Sequence, residues 1–231
     1  MNRRMSLLSR LTRPRDLTGL SRRCALAAGA MATAVLIGCA PMATYNPAYI
    51  TPPVTPQAEK VEGRALVYTV KTDDETPYMG RPTSFTGSAT NLTIPLGVIT
   101  REIAYTVFND LFRDGAVKGN ALDNAGAYRV VLHPRVTGFS YAYNQLKNLG
   151  FAITPTVELT LEVTLLDATG QPVSRRTYAS GLVEGPAYMI SGEPGEQIGK
   201  VAHKVLLELM QRVAVDLRTA LRDKPTGPLS L

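Results

Sequence analysis

The sequence predicts an α/β (α+β) domain: a two-layer sandwich with one roughly four-stranded mixed sheet and two helices on one face, in the order β-α-β-β-β-α. Three observations carry that prediction. Val157, Leu159, Leu161, Val163 and Leu165 alternate strictly with Glu158, Thr160, Glu162 and Thr164, the period of a half-buried strand. Leu96, Ile99, Ile103, Val107 and Leu111 recur at three- and four-residue spacing, the stripe of an amphipathic helix. A longer stripe, Ile198, Ala202, Val205, Leu209, Val213, Leu217 and Ala220, runs opposite Lys200, Lys204, Glu208, Gln211, Arg218 and Arg222 over about 194–222. Such elements bury their apolar sides only against one another, and the simplest layering puts both helices on one sheet face.

The domain is expected to span 61–224. Arg64–Lys71 (R-A-L-V-Y-T-V-K) is β-branched and aromatic enough for the first strand. Residues 72–94 lack periodicity and are rich in Thr, Ser, Gly and Pro, which predicts a long loop; ordered loops of that length are often functional. Its triplet Asp73-Asp74-Glu75 lacks the alternating ligand spacing and central Gly of a calcium loop and reads as a solvated turn. Pro95 suits a first helical turn and Gly115 the position just past a helix end. On that first helix Tyr105, Phe108 and Phe112 form a second stripe, roughly opposite the aliphatic one. With the sheet covering the aliphatic side, these three are expected to form an exposed partner surface, unless the N-terminal segment or loop 72–94 folds over them.

Tyr128, Val130, Leu132 and Val136 alternate with Arg129, His133, Arg135 and Thr137 as the next strand. Pro134 inside it points to an edge or a bulge, and Gly138 marks a slip of the alternation before Phe139, Tyr141 and Tyr143. Asp167-Ala168-Thr169-Gly170 makes a turn after the strictly alternating strand, and 173–184 return as its hairpin partner. Glu193 and Glu196 at the start of the last helix, and Arg218 and Arg222 near its end, suit the helix dipole. Pro225 ends it, leaving 225–231 as a loose tail. The first two strands, joined through a helix, should be parallel with a right-handed crossover. The second sheet face, with Arg129, Arg135, Glu158 and Glu162, is expected to lie in solvent.

Ahead of the domain, residues 1–23 are basic and Ala25–Ile37 is an apolar run of thirteen. That is too short for a membrane-spanning helix, which needs about 20 residues, but it suits a signal peptide over 1–38. Of 25 Lys and Arg, seven precede Cys39, against one acid, Asp16, so 18 of each sign remain beyond it. The basic character belongs to the leader, and nucleic acid is not an expected partner. Residues 39–60, with Pro41, Pro47, Pro52, Pro53 and Pro56, read as a tether extended at about 3.1 Å per residue. The other arrangement, a stretch draped over the domain, would use Tyr45, Tyr49 and Ile50 for contact.

At the end of the apolar run, Leu36-Ile37-Gly38-Cys39 resembles the bacterial lipobox. That resemblance implies a lipoprotein: diacylglyceryl on the Cys39 sulfur, cleavage before Cys39, and acylation of the new amino terminus. Ser21-Arg22-Arg23 also looks like part of a twin-arginine signal, although Ala25 and Ala27 depart from its pattern. Cys24 is lost with the leader and Cys39 carries lipid, so no internal disulfide is expected. Ala40 replaces the Asp that resembles an inner-membrane retention signal, which favours the outer membrane of a Gram-negative host, periplasm-facing, over the inner membrane.

No residue constellation reads as an active site. His133 and His203 have no Cys, Asp or Glu at metal-ligand spacing, and both read as structural. Gly192, Gly195 and Gly199 lack the Lys and Ser/Thr of a phosphate loop and read as turn and close-packing residues. Glu158 and Glu162, four apart on a strand, are about 13 Å from each other, too far for an acid–base pair. No catalytic residue, metal or cofactor is therefore expected beyond the lipid on Cys39. Element order and lipobox together resemble small α/β lipoproteins of Gram-negative bacteria, such as the YajG-like group and the lipopolysaccharide-assembly lipoprotein. The expected function is a non-enzymatic, membrane-anchored assembly or transport auxiliary factor that binds an envelope protein. The alternative is a lipid or ligand carrier, with a pocket between sheet and helices roofed by 72–94.

Overall fold

Residues 41–148, 151–189 and 193–222 are described by the computed structural model; Cys24, Cys39, the apolar run and the tail after 222 lie outside them. The sheet is built around its two longest strands, β5 (Val130–Asn144) and β6 (Ala152–Leu166), an antiparallel pair. β1 (Ala65–Tyr68) pairs parallel with both β5 and β4 (Ala116–Gly119), and β7 (Pro172–Glu184) pairs antiparallel with β6. The spatial order is β4-β1-β5-β6-β7, with β8 (Tyr188–Met189) on the first residues of β6. The sheet thus has six strands rather than about four. β4 reads A-V-K-G and β8 only Y-M, too short for alternation to register in the sequence.

Both long helices, α2 (Leu96–Leu111) and α3 (Pro194–Leu221), pack on the same sheet face and against each other, as expected. α2 lies over β1, β4 and β5, and α3 over β6 and β7. Residues 72–94 are not one loop. They hold most of a short helix α1 (Lys71–Glu75), then β2 (Tyr78–Gly80) and β3 (Leu92–Ile94), an antiparallel pair forming a small second sheet.

The bulge read at Gly138 is present: the β5–β6 register shifts between Val136 and Gly138. Pro134 is not in that bulge but at a local edge of the sheet, one of the two sites expected for it. It lies two residues past Leu132, the last β5 residue paired with β1, where β5 has a strand neighbour on one side. The second sheet face is only partly wet. Arg135 and Arg175 approach Glu162 there, at 3.5 and 3.9 Å. Toward β4, however, the connection containing Ala125 covers a small cluster with Leu66, Val131 and Leu166, and Arg129 is buried.

The main core lies between sheet and helices. Val157, Leu159, Leu161 and Val163 of β6 are buried, as are Ile99, Ile103, Leu206 and Leu209 from above. Truncating Leu161 to Ala should cost about 2–5 kcal/mol, the transfer term plus a cavity that close packing cannot collapse. Thr160, one residue away and half-exposed, should accept Ala within about 0.5 kcal/mol. Urea unfolding of the two variants checks the pair, and equal costs would contradict this placement of the β6 side chains.

Candidate functional site

The Pro-rich segment is laid on the domain rather than extended from it. Pro41–Ala43 runs parallel to β3: Thr93 N–H donates to Pro41 O (3.1 Å) and Ala43 N–H to Thr93 O (2.9 Å). Further on, Thr55 N–H donates to the Asp110 carboxylate (2.8 Å), Glu59 pairs with Arg218, and Val61 N–H donates to Leu111 O (3.0 Å). Proline suits such a strap because it loses little chain entropy on docking and lacks an N–H to satisfy.

The seat of the strap is on α3. A Cβ on Gly195 would come 2.6 Å from the Met42 carbonyl oxygen, and one on Gly199 would stand 3.1 Å from the Ala43 Cβ. These two glycines, one helical turn apart, let the strap backbone lie against the helix. Below them His203 is fully buried, with the Tyr45 ring stacked at 5.7 Å and the Tyr49 ring edge-on at 5.4 Å. His203 Nδ1 lies 2.7 Å from Gly199 O, so it carries the proton and donates, while Nε2 accepts from Asn46 N–H at 3.2 Å. Tyr49 OH donates to Glu196 (2.8 Å), which also pairs with Lys200 (2.9 Å). His203 is thus structural, as expected, but its task is to hold the chain just after Cys39.

This latch titrates. Burial pushes the His203 imidazole below its usual range, and the Gly199 carbonyl pulls weakly the other way. A folded-state value below the unfolded one means that the unfolded chain binds the proton more readily. The contribution of His203 is therefore complete above the ordinary pKa of about 6.5 and is lost as pH falls through the depressed value. Protonation would also put an N–H on Nε2, facing the N–H of Asn46. Hydrogen exchange at the Asn46 amide, corrected for its intrinsic rate, should accelerate between pH 7.5 and pH 5. His203→Gln, which cannot charge, should flatten that dependence.

The aromatic surface expected from Tyr105, Phe108 and Phe112 does not exist. Phe108 and Phe112 are fully buried, and Tyr105 is half-covered, with Lys118 Nζ 4.8 Å from its ring centre. α2 is wrapped on more than one side: by the sheet, by α3 beside it, and at its C-terminus by the strap, where Val61 bridges Phe112. A helical wheel shows the sheet-facing stripe but not these further covers.

The open feature lies on the other side of α2. Because β1 stops at Tyr68 and its chain turns away into α1, the track that a longer β1 would follow beside β5 is vacant. In its place is a groove of about 700 Å³, bounded by Thr69–Tyr78, by Leu96, Gly97 and Thr100 of α2, and by Pro134–Phe139 of β5. Gly97 permits the close wall: a Cβ there would lie 1.9 Å from Asp73 O. Asp74 accepts through Oδ2 from Thr69 Oγ1 (3.2 Å) and from Arg101, whereas its Oδ1 is buried without a partner. Thr100 Oγ1 and His133 Nε2 are likewise buried without a hydrogen bond; the imidazole lies 3.5 Å from Asp73 and edge-on to Tyr68. His133 and the acidic triplet lie far apart in the sequence, and only the fold brings the imidazole to 3.5 Å from Asp73. The candidate lipid-bearing residue, Cys39, lies outside the described residues.

Neither a family model nor a curated protein matches the chain. Among solved structures it is similar to a Xanthomonas campestris protein of family DUF330, at 15% identity and a TM-score of 0.46, covering 79% of this chain and 98% of that one. A minor lipoprotein from Acinetobacter baumannii is 13% identical over 69% of this chain and 93% of that one, with a TM-score of 0.32. The PelC dodecamer from Paraburkholderia phytofirmans is 15% identical over 70% and 93%, with a TM-score of 0.33.

Proposed function

We propose that this chain is a lipid-anchored lipoprotein of the Gram-negative envelope, held to the outer membrane through Cys39, whose domain binds a protein partner without catalysis. The anchor rests on Leu36-Ile37-Gly38-Cys39 behind its apolar run. Among the described residues no helix is long and apolar enough to cross a membrane. The observation that carries the binding role is the vacant track beside β5. A strand that loses its neighbour after Leu132 presents main-chain groups to a groove, and an extended peptide can complete such a sheet.

The carrier alternative has less room. The space between sheet and helices where a lipid would lie is filled by Phe108, Phe112, Ile103, Leu159 and Leu206, and 78–94 pack Leu92 and Ile94 into the same core. A photo-cross-linking residue at Thr137, exposed in the groove, should capture an envelope protein, while one at Lys204, exposed on α3, should not. Equal capture at both positions, together with lipid co-purifying in native mass spectrometry, would favour the carrier.

A further inference from the structure

Large apolar side chains gather in the open at one end of the domain. Phe85 is 95% exposed, Leu146 90%, Phe151 75% and Met189 65%. They come from three connections that the fold brings together. Leu146 and Phe151 flank the turn between β5 and β6, and Met189 pairs with Ala152, next to Phe151. Phe85 is held alongside by its neighbours: Tyr143 N–H donates to Ser84 Oγ (2.9 Å), and Thr86 Oγ1 to Gln145 (3.3 Å). Isolated exposed apolar residues are ordinary, but four large ones on adjoining turns mark a surface made to be covered.

The charge of this end narrows what covers it. Residues 81–91, 143–148 and 185–189 contain no Asp or Glu and two cations, Arg81 and Lys147, the second paired with Glu184. A face with projecting Phe, Leu and Met and hardly any acid suits a lipid headgroup layer, into which apolar side chains sink by about 5–10 Å.

The direction of the chain points the same way. Tyr78 touches Phe139, Thr83 N–H donates to Tyr141 O, and Thr86 reaches Gln145, so 78–86 run beside β5 toward this end. β3 is antiparallel to β2, and Pro41–Ala43 is parallel to β3. Followed backwards from Ala43, the strap therefore heads toward the apolar end. Only Ala40 lies between Cys39 and Pro41, two chain steps with a reach of at most about 7 Å. We propose that Phe85, Leu146, Phe151 and Met189 form a membrane-docking face that seats the domain directly on the bilayer to which Cys39 is anchored. This rests on the lipoprotein reading for the anchor, but not for the face itself.

The chain has no tryptophan, so a single one reports cleanly. Phe85→Trp and Phe151→Trp, with Leu182→Trp on the exposed part of β7 as reference, would be purified in mature form from the envelope and placed on phosphatidylethanolamine–phosphatidylglycerol vesicles. Mass spectrometry of the Cys39 peptide reports acylation separately. Emission at 85 and 151 should shift to the blue and be quenched by brominated acyl chains several-fold more than at 182. Acylated protein whose three tryptophans stay equally water-like would overturn the docking face and leave the lipoprotein reading intact. Unmodified Cys39 with vesicle-dependent quenching at 85 and 151 would support the face and remove the anchor. Unmodified Cys39 without quenching would remove both. Two sites on separate loops guard against one replacement disturbing its own turn.

Discussion

Phe108→Ala and Phe112→Ser should each cost about 3–5 kcal/mol, among the largest penalties expected in this domain. Both rings are fully buried in the main core, where close packing leaves the cavity open rather than collapsed. For a domain of this size the loss corresponds to a melting temperature lower by on the order of 10 °C. Ser at 112 adds a hydroxyl that needs a partner in an apolar setting. Tyr105→Ser should be mild by comparison, because that ring is half-exposed, packing against the core on one side and under Lys118 on the other. Calorimetry of the three variants checks the ranking. A mild effect at Phe108 and Phe112 with lost envelope cross-links would restore them as a contact surface.

Cys39→Ala should abolish lipid attachment, and with it the wash-resistant hold on the membrane. Two or more acyl chains hold a protein stably where one holds it marginally, so the wild type should resist salt and alkaline washes. The Ala variant should be uncleaved, or released in soluble form, and should take up no labelled acyl chain. If acyl labelling of the wild type fails and cleaved Cys39→Ala still sediments with membranes, the lipobox reading is wrong. Any retention left in a cleaved variant would come from the apolar end, which Phe85→Ser with Phe151→Ser should then abolish.

The parts of the fold legible in the sequence are those with long periods. β6 shows five alternations and α3 seven turns, and both appear where the pattern puts them. β1 and β4 are four residues each, paired in parallel across a helix, with no turn residues to announce the pairing. Periodicity gives the faces of a helix without saying how many neighbours it has, so Phe108 and Phe112 read as surface in the sequence yet are buried in the fold. The strap was the harder case, since its proline content favours an extended chain whether that chain is free or docked. Its one signal was the pair Gly195 and Gly199: smooth helix faces at one-turn spacing ask what lies against them. The groove wall is equally hidden, because Asp74 and Thr100 come to one groove with Pro134–Phe139 only when β1 ends early.

The strap also has a consequence for the order in which the molecule is made. Its ties to α3 span most of the domain: Asn46 to His203 is 157 residues, Tyr49 to Glu196 is 147, and Glu59 to Arg218 is 159. Such contacts cannot form until the C-terminal helix has been made, and they close very long loops in the domain. The chain next to Cys39 should therefore dock last. On the lipoprotein proposal, processing and acylation at Cys39 would come before the strap closes. Pulse-labelled hydrogen exchange during refolding should show the Asn46 and Val61 amides gaining protection after those of β5, β6 and α3. Protection of the strap in the earliest phase would place its closure ahead of that order.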